Sequence, residues 1–180
     1  MRKVLVLLFG LLVFAALVAH ADVITFDDLP GDGVVPDGYN GVTWFGEWNY
    51  YGEPQDPYNP HSGPNRVYDF VSDGHFTFGA PVVFNGAWFS GHDFATVQFQ
   101  LYLSGSLVWT SGILAPSAVP TFLDSGYAGL VDDVHVLSPS PDFFVMDDVT
   151  FNGTTTPEPA SLILLGSGLL GLAGVTRRRR

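Results

Sequence analysis

Two pairs of adjacent carboxylates stand in near-mirror contexts. One is Ile24-Thr25-Phe26-Asp27-Asp28. The other is Asp147-Asp148-Val149-Thr150-Phe151, which reads backwards as Phe-Thr-Val-Asp-Asp. The terminal strands of a sandwich domain often lie side by side and antiparallel. In that arrangement Ile24 faces Phe151, Phe26 faces Val149, Asp28 faces Asp147, and Asp27 falls opposite Asp148. Cross-strand Cβ atoms lie about 5 Å apart, where like charges repel. A calcium ion held by Asp27, Asp28, Asp147 and Asp148 would resolve the conflict. Calcium suits the donors better than zinc, because the chain has no cysteine and no histidine adjoins either pair. The competing reading is that each pair marks a strand entering a solvated loop. Asp132-Asp133 is a third pair and an equal candidate partner for either.

The second chemical feature is aromatic. Trp44, Phe45, Trp48, Tyr50 and Tyr51 fall within eight residues that also hold Glu47 and Asn49. Exposed, Trp44, Trp48, Tyr50 and Tyr51 would offer flat faces for stacking sugar rings, with polar groups for their hydroxyls. Buried, the same rings would be core. Alternation puts Trp44 and Trp48 on one side and Phe45 on the other. Arg66 is the only Lys or Arg in residues 22–156 and is expected to pair with a nearby carboxylate, Asp69 or Asp73.

Signals for catalysis are poor. The chain has no Gly-x-Ser-x-Gly, no His-Glu-x-x-His and no phosphate-cradling glycine loop followed by lysine. His61, His75, His92 and His135 lack metal-ligand spacing. Glu47 and Glu53 are the only glutamates in residues 22–156, and nothing sets either against a second acid. The expectation is a non-enzymatic protein. A polysaccharide hydrolase and a ligand-free surface spacer are the alternatives.

Charge narrows the partners. Residues 22–156 carry 17 acidic residues against Arg66 alone, a net of −16. Such a field repels nucleic acid and anionic lipid. It attracts divalent cations, and it also keeps an exported protein soluble.

The elements that must position these groups read as strands. Residues 97–103 alternate cleanly, Ser104-Gly105 forms a turn, and residues 107–114 return, a hairpin pattern. Further strands are expected at residues 23–27, 41–45, 66–71, 75–78, 82–84, 120–124, 130–137 and 143–151. Residues 31–38 and 52–64 read as surface loops. Many short strands with Gly and Pro punctuation point to an all-β, single antiparallel β-sandwich or jelly-roll domain over residues 22–153. A β-barrel is the alternative. At about 130 residues the domain can bury a core without disulfides.

Both ends read differently. Arg2 and Lys3, an apolar run over residues 4–18, and Ala19-His20-Ala21 have the form of a signal peptide spanning residues 1–21, with Ala19 and Ala21 at the cleavage site. Residues 154–156 form a short polar linker. Residues 161–176 are apolar. As a helix they would span about 24 Å, short of a hydrocarbon core of about 30 Å. Arg177, Arg178, Arg179 and Arg180 would hold that helix's end in the cytoplasm.

Pro157-Glu158-Pro159, a short glycine-bearing apolar helix and a terminal arginine cluster together resemble the PEP-CTERM sorting signal, over residues 157–180. The resemblance implies an exosortase, a membrane transpeptidase that recognises Pro157, Glu158 and Pro159 while Arg177 to Arg180 stop transfer. It implies a protein held transiently in the inner membrane by its C-terminal transmembrane helix, then passed to the cell surface or the medium. Such proteins accompany exopolysaccharide and biofilm formation. Residues 22–153 are more loosely similar to exported β-sandwich domains with a Phe-Asp-Asp-Leu-Pro pattern, here residues 26–30, and a Gly-Tyr-x-Gly-x-x-Trp pattern, here residues 38–44. The final strand also resembles the closing strand of some carbohydrate-binding jelly rolls, where an Asp helps hold calcium.

Overall fold

The computed structural model describes residues 21–45 and 48–152. Ala19, Glu47, the 154–156 linker, Pro157, Glu158, Pro159, the apolar run and Arg177 to Arg180 lie outside those residues. No helix among the described residues is long and apolar enough to cross a membrane.

Among the described residues the polar-apolar alternation becomes eleven strands. They are β1 (Asp22–Ile24), β2 (Gly33–Val34), β3 (Val42–Phe45), β4 (Asn49–Tyr51), β5 (Arg66–Tyr68), β6 (Asp73–Gly91), β7 (Val97–Leu103), β8 (Ser106–Leu114), β9 (Thr121–Asp124), β10 (Leu130–Leu137) and β11 (Phe144–Phe151). Every pairing is antiparallel. In β7, Val97, Phe99 and Leu101 are buried while Gln98, Gln100 and Tyr102 occupy the other face, as a period of two requires.

β6 belongs to both layers. Its first half pairs with β3 and β10, and β10 continues to β7 and β8. Its second half pairs with β11 and β9, and β11 continues to β1, β5, β4 and β2. The strand bulges at Gly79-Ala80-Pro81, all exposed, where the register with β10 slips between Val131 and Asp133, and it changes sheet after Val83, its last partner on β10. Pro81 has no N–H to give a ladder, so a bend is favoured there. Phe84 and Phe89 from one layer meet Phe99 of the other at 4.9 and 5.6 Å between ring centroids. The all-β antiparallel sandwich read from the sequence is the fold observed.

The terminal strands do lie side by side, but in another register. Ile24 faces Val149 and Asp22 faces Phe151. β1 stops at Ile24, so neither Asp27 nor Asp28 has a partner across the ladder. The cause is Phe26. Its backbone is left-handed, at φ 61°, and its side chain is fully buried, against Tyr39 at 5.8 Å and Trp44 at 5.4 Å. Burying a phenylalanine contributes about 1.5–3 kcal/mol, comparable to the cost of about 1–3 kcal/mol for such a backbone. The chain therefore leaves the ladder to bury a ring.

Candidate functional site

Two adjacent strand residues normally point to opposite faces. Asp147 and Asp148 escape that rule through a bulge in β11. Asp147 faces Trp88 and Thr150 faces Gly86, so Asp148 and Val149 together oppose Ala87. Asp148 is left-handed at φ 46°, as the first residue of such a bulge can be. Both carboxylates are then buried and both meet the loop between β4 and β5. Asp147 Oδ2 accepts the backbone N–H groups of His61 (2.7 Å) and Ser62 (3.0 Å), and its Oδ1 accepts the N–H of Asp148. Asp148 Oδ1 accepts the Ser62 hydroxyl at 2.8 Å, and Oδ2 lies 2.5 Å from His61 Nδ1. The His61 ring stacks flat on Trp88 at 3.5 Å.

Asp27 closes the cluster from the turn after β1. Its Oδ1 accepts the Asn65 N–H at 3.1 Å, and Ser62 Oγ lies 3.5 Å from Oδ2. Asn65 Nδ2 donates to the carbonyls of Phe26 and Leu29, both at 2.8 Å. Gly63 sits against Asp27: an added Cβ would come within 2.1 Å of that carboxylate, at a φ of +46°. Asp28 turns elsewhere and accepts a hydrogen bond from the Tyr39 hydroxyl.

What this cluster can do chemically is limited by its order. Asp148 stands between Ser62 and His61, so the serine proton goes to the carboxylate and not to the imidazole. A nucleophilic triad needs the histidine in the middle. Burial is the main cause that lifts the Asp147 carboxyl to about 7 from the usual 3.8. The Asp148 charge adds to the rise, and the three N–H donors work against it. Five of the six carboxylate oxygens of Asp27, Asp147 and Asp148 face a protein donor, and the one Ser62 proton goes to Asp148 Oδ1, the nearer of its two acceptors. Among the described residues no group of three or more His, Asp or Glu side chains is arranged to hold a metal ion. The conflict between like charges, for which the sequence suggested calcium, is met here by backbone N–H groups, a hydroxyl and His61. The cluster pins residues 61–65 to the end of the sandwich.

Arg66 pins the same loop from its other side. It is 1% exposed. Its guanidinium donates to the carbonyls of Tyr51 (3.4 Å), Glu53 (2.5 Å) and Pro64 (3.1 Å) and lies 3.6 Å over the Tyr51 ring. The expected partner, a carboxylate of Asp69 or Asp73, forms no ion pair with it. Three carbonyls and a ring face take that place, because β4 and β5 set Arg66 directly opposite Tyr51.

The pinned loop forms one wall of an open cleft of about 600 Å³. β4 and β5 carry Asn49, Tyr51 and Tyr68 onto the cleft, and Phe70 follows, 52% exposed. Tyr51, Tyr68 and Phe70 meet edge to face in series, at 5.4 and 5.1 Å. Gln55 and Tyr58 come from the loop, Asp32 from before β2, and Asp142 from a 3-10 turn at Pro141–Phe143. The Tyr58 hydroxyl donates to the Asp142 carbonyl at 3.2 Å. Asp32 accepts the Gly52 N–H at 3.3 Å. Burial raises the Tyr51 and Tyr58 phenols above the ordinary tyrosine range, so both stay protonated donors at neutral pH. The aromatic path continues from Tyr58 to His92 (5.5 Å), Phe143 and Phe94.

The sequence-derived sugar platform is thus corrected in part. Trp44 and Trp48 are core residues, 8% and 1% exposed. Their indole N–H groups donate to the carbonyls of Tyr39 and His75. Tyr50 is 7% exposed and its hydroxyl donates to the Pro30 carbonyl, yet it also lines the cleft beside Tyr51. Trp44 on β3 and Tyr50 on β4 have the parity of the core, and Trp48, just before β4, continues it. Tyr51, of opposite parity, reaches the cleft. Tyr68 and Phe70 escaped the sequence reading, although two aromatics spaced by one residue after the lone Arg66 were a visible signal. The histidines are less scattered than their spacing suggests. His75 and His135 stack at 4.7 Å on the outer face of the other sheet, and His135 is held by Asp73 at 2.7 Å and Asp133 at 3.3 Å.

A comparison with curated proteins gives no match. Among solved structures, three mutants of a family 29 carbohydrate-binding module are similar in overall fold, one of them complexed with mannohexaose. They share 12–13% identity at a TM-score of 0.45, covering 74–76% of this chain and 90–94% of theirs. Likeness at that level is no guide to ligand. Residues 155–180 match the family model of the PEP-CTERM protein-sorting motif, so the chain carries the sorting signal of an exported protein.

Proposed function

We propose that this is a non-catalytic cell-envelope or extracellular-matrix protein whose β-sandwich associates with glycan chains through the tyrosine cleft. The observation that carries the reading is the cleft: ring faces of Tyr51, Tyr68 and Phe70 bordered by Asp32, Asn49, Gln55 and Asp142. Apolar faces suit the C–H side of a sugar ring, and the amides and carboxylates suit its hydroxyls. Native gels cast with soluble polysaccharides test it. A glycan that retards the wild-type chain should retard Tyr68→Ala and Phe70→Ala about tenfold less, a loss of about 1.4 kcal/mol per ring. Equal retardation of both variants would remove the cleft from the reading. Release of reducing ends by the wild type would replace binding with hydrolysis.

The handling of the chain follows from its sorting motif. An exosortase recognises Pro157-Glu158-Pro159, after transient anchoring in the inner membrane, and frees the domain to the cell surface or medium. Mass spectrometry of the native C-terminus should find an end upstream of Arg177 in wild-type cells. A product ending at Arg180 would refute processing.

A further inference from the structure

We infer that the tyrosine cleft takes glycan chains free of carboxylate, sulfate or phosphate groups and rejects acidic ones. The inference rests on the glycan reading above and adds the chemical class of its ligand. An acidic sugar needs a cationic partner, most often a guanidinium or ammonium that meets its oxygens directly. Residues 22–156 contain one such group, Arg66. It is 1% exposed, both terminal nitrogens donate to the carbonyls of Tyr51, Glu53 and Pro64, and its Nε is buried without an acceptor. The one positive charge of the domain is therefore used to build the cleft wall and is withheld from the cleft itself.

What the cleft does present is acid. Asp32 and Asp142 line it, inside a domain whose 17 acidic residues face one arginine. Two like charges a few ångströms apart repel even at the dielectric of bulk water, and several-fold more strongly near a protein surface. A uronic or sulfated chain brings one such charge per residue. A neutral chain brings hydroxyls, which carboxylates accept well. The Gln55 amide offers both a donor and an acceptor.

The test pairs each neutral polysaccharide with its own C6-oxidised form, so that ring count and linkage stay fixed while charge changes. Glucan, mannan and galactan, native and oxidised, are cast into native gels at about 0.15 M NaCl, and the full chain is run through each. The expected result is retardation by at least one native polymer and at least tenfold weaker retardation by its oxidised partner. At about 1 M NaCl, where the screening length falls to about 3 Å, that gap should narrow. An oxidised polymer that binds as well as its native partner, or better, overturns the inference and leaves the glycan reading standing. A gap that ignores salt also overturns it, because discrimination would then come from shape. Retardation by no polymer in either form removes the glycan reading itself.

Discussion

Arg66→Ala is expected to destabilise the domain by about 3–5 kcal/mol and to lower its thermal midpoint by on the order of 10 °C. The magnitude follows from what the side chain replaces. A lone exposed arginine contributes less than about 0.5 kcal/mol. Arg66 is instead buried, with a guanidinium shared among three carbonyls and a tyrosine ring. Truncation leaves those carbonyls without donors, at about 1–3 kcal/mol for each that water cannot reach, and opens a cavity beside Tyr51. Arg66→Lys should recover only part of the loss, because one ammonium cannot span three acceptors as a planar fork does. Arg66→Met separates packing from donation: it fills the volume, donates nothing, and should stay closer to Ala than to wild type. Circular dichroism melts read all three. An Ala variant melting within about 2 °C of wild type would show the guanidinium to be incidental. Because the same contacts fix Tyr51 and the 52–65 loop, the Ala variant should also lose the glycan retardation that depends on the cleft.

How far the sequence led can be judged from individual residues. Strands were legible wherever one face was buried, as at Val97, Phe99 and Leu101, since a period of two has one explanation. β2 and β4 were not, because Gly33-Val34 and Asn49-Tyr50-Tyr51 are too short to show a period. Residues 75–78 and 82–84 read as separate strands, since Gly79-Ala80-Pro81 has the composition of a turn. They are one strand that bends between sheets. Pairing of the terminal strands was legible in their mirrored sequences. Register was not, because it depends on Phe26 adopting a left-handed backbone to reach the core, and local sequence gives no sign of that burial. The acidic pairs were visible, yet the partners of Asp147 and Asp148 lie in the loop around Ser62, some 85 residues from Asp147. That gap is closed only by the fold. Arg66 illustrates the same limit: its charge was visible, whereas its acceptors were main-chain carbonyls, which have no signature in the sequence.

The buried acids yield the second large effect, a stability that rises as the solution is acidified. The Asp147 carboxyl titrates near 7 in the folded chain and near 3.8 when unfolded. Between those values the folded state holds a proton that the unfolded state lacks, so lowering the pH favours folding. Each pH unit in the window contributes up to 1.36 kcal/mol, roughly 4 kcal/mol in all. Above about pH 7 that increment is absent, because Asp147 is then charged in a buried site. Thermal midpoints from about pH 8 to about pH 5, in chelator, should climb for the wild type and climb less for Asp147→Asn, which carries no proton to gain. A wild-type midpoint that is flat or falls over that range would contradict the burial of a strained carboxylate. Calcium is the other counterion the sequence suggested, and the same melts distinguish it. A cation that binds these carboxylates must raise the midpoint most at about pH 8, where protons do not compete, and lose its effect toward about pH 5. The elevation should vanish in Asp147→Asn and Asp27→Asn. If millimolar calcium leaves the midpoint at pH 8 unchanged, the fold answers its clustered charge with backbone N–H groups, the Ser62 hydroxyl and the His61 ring alone.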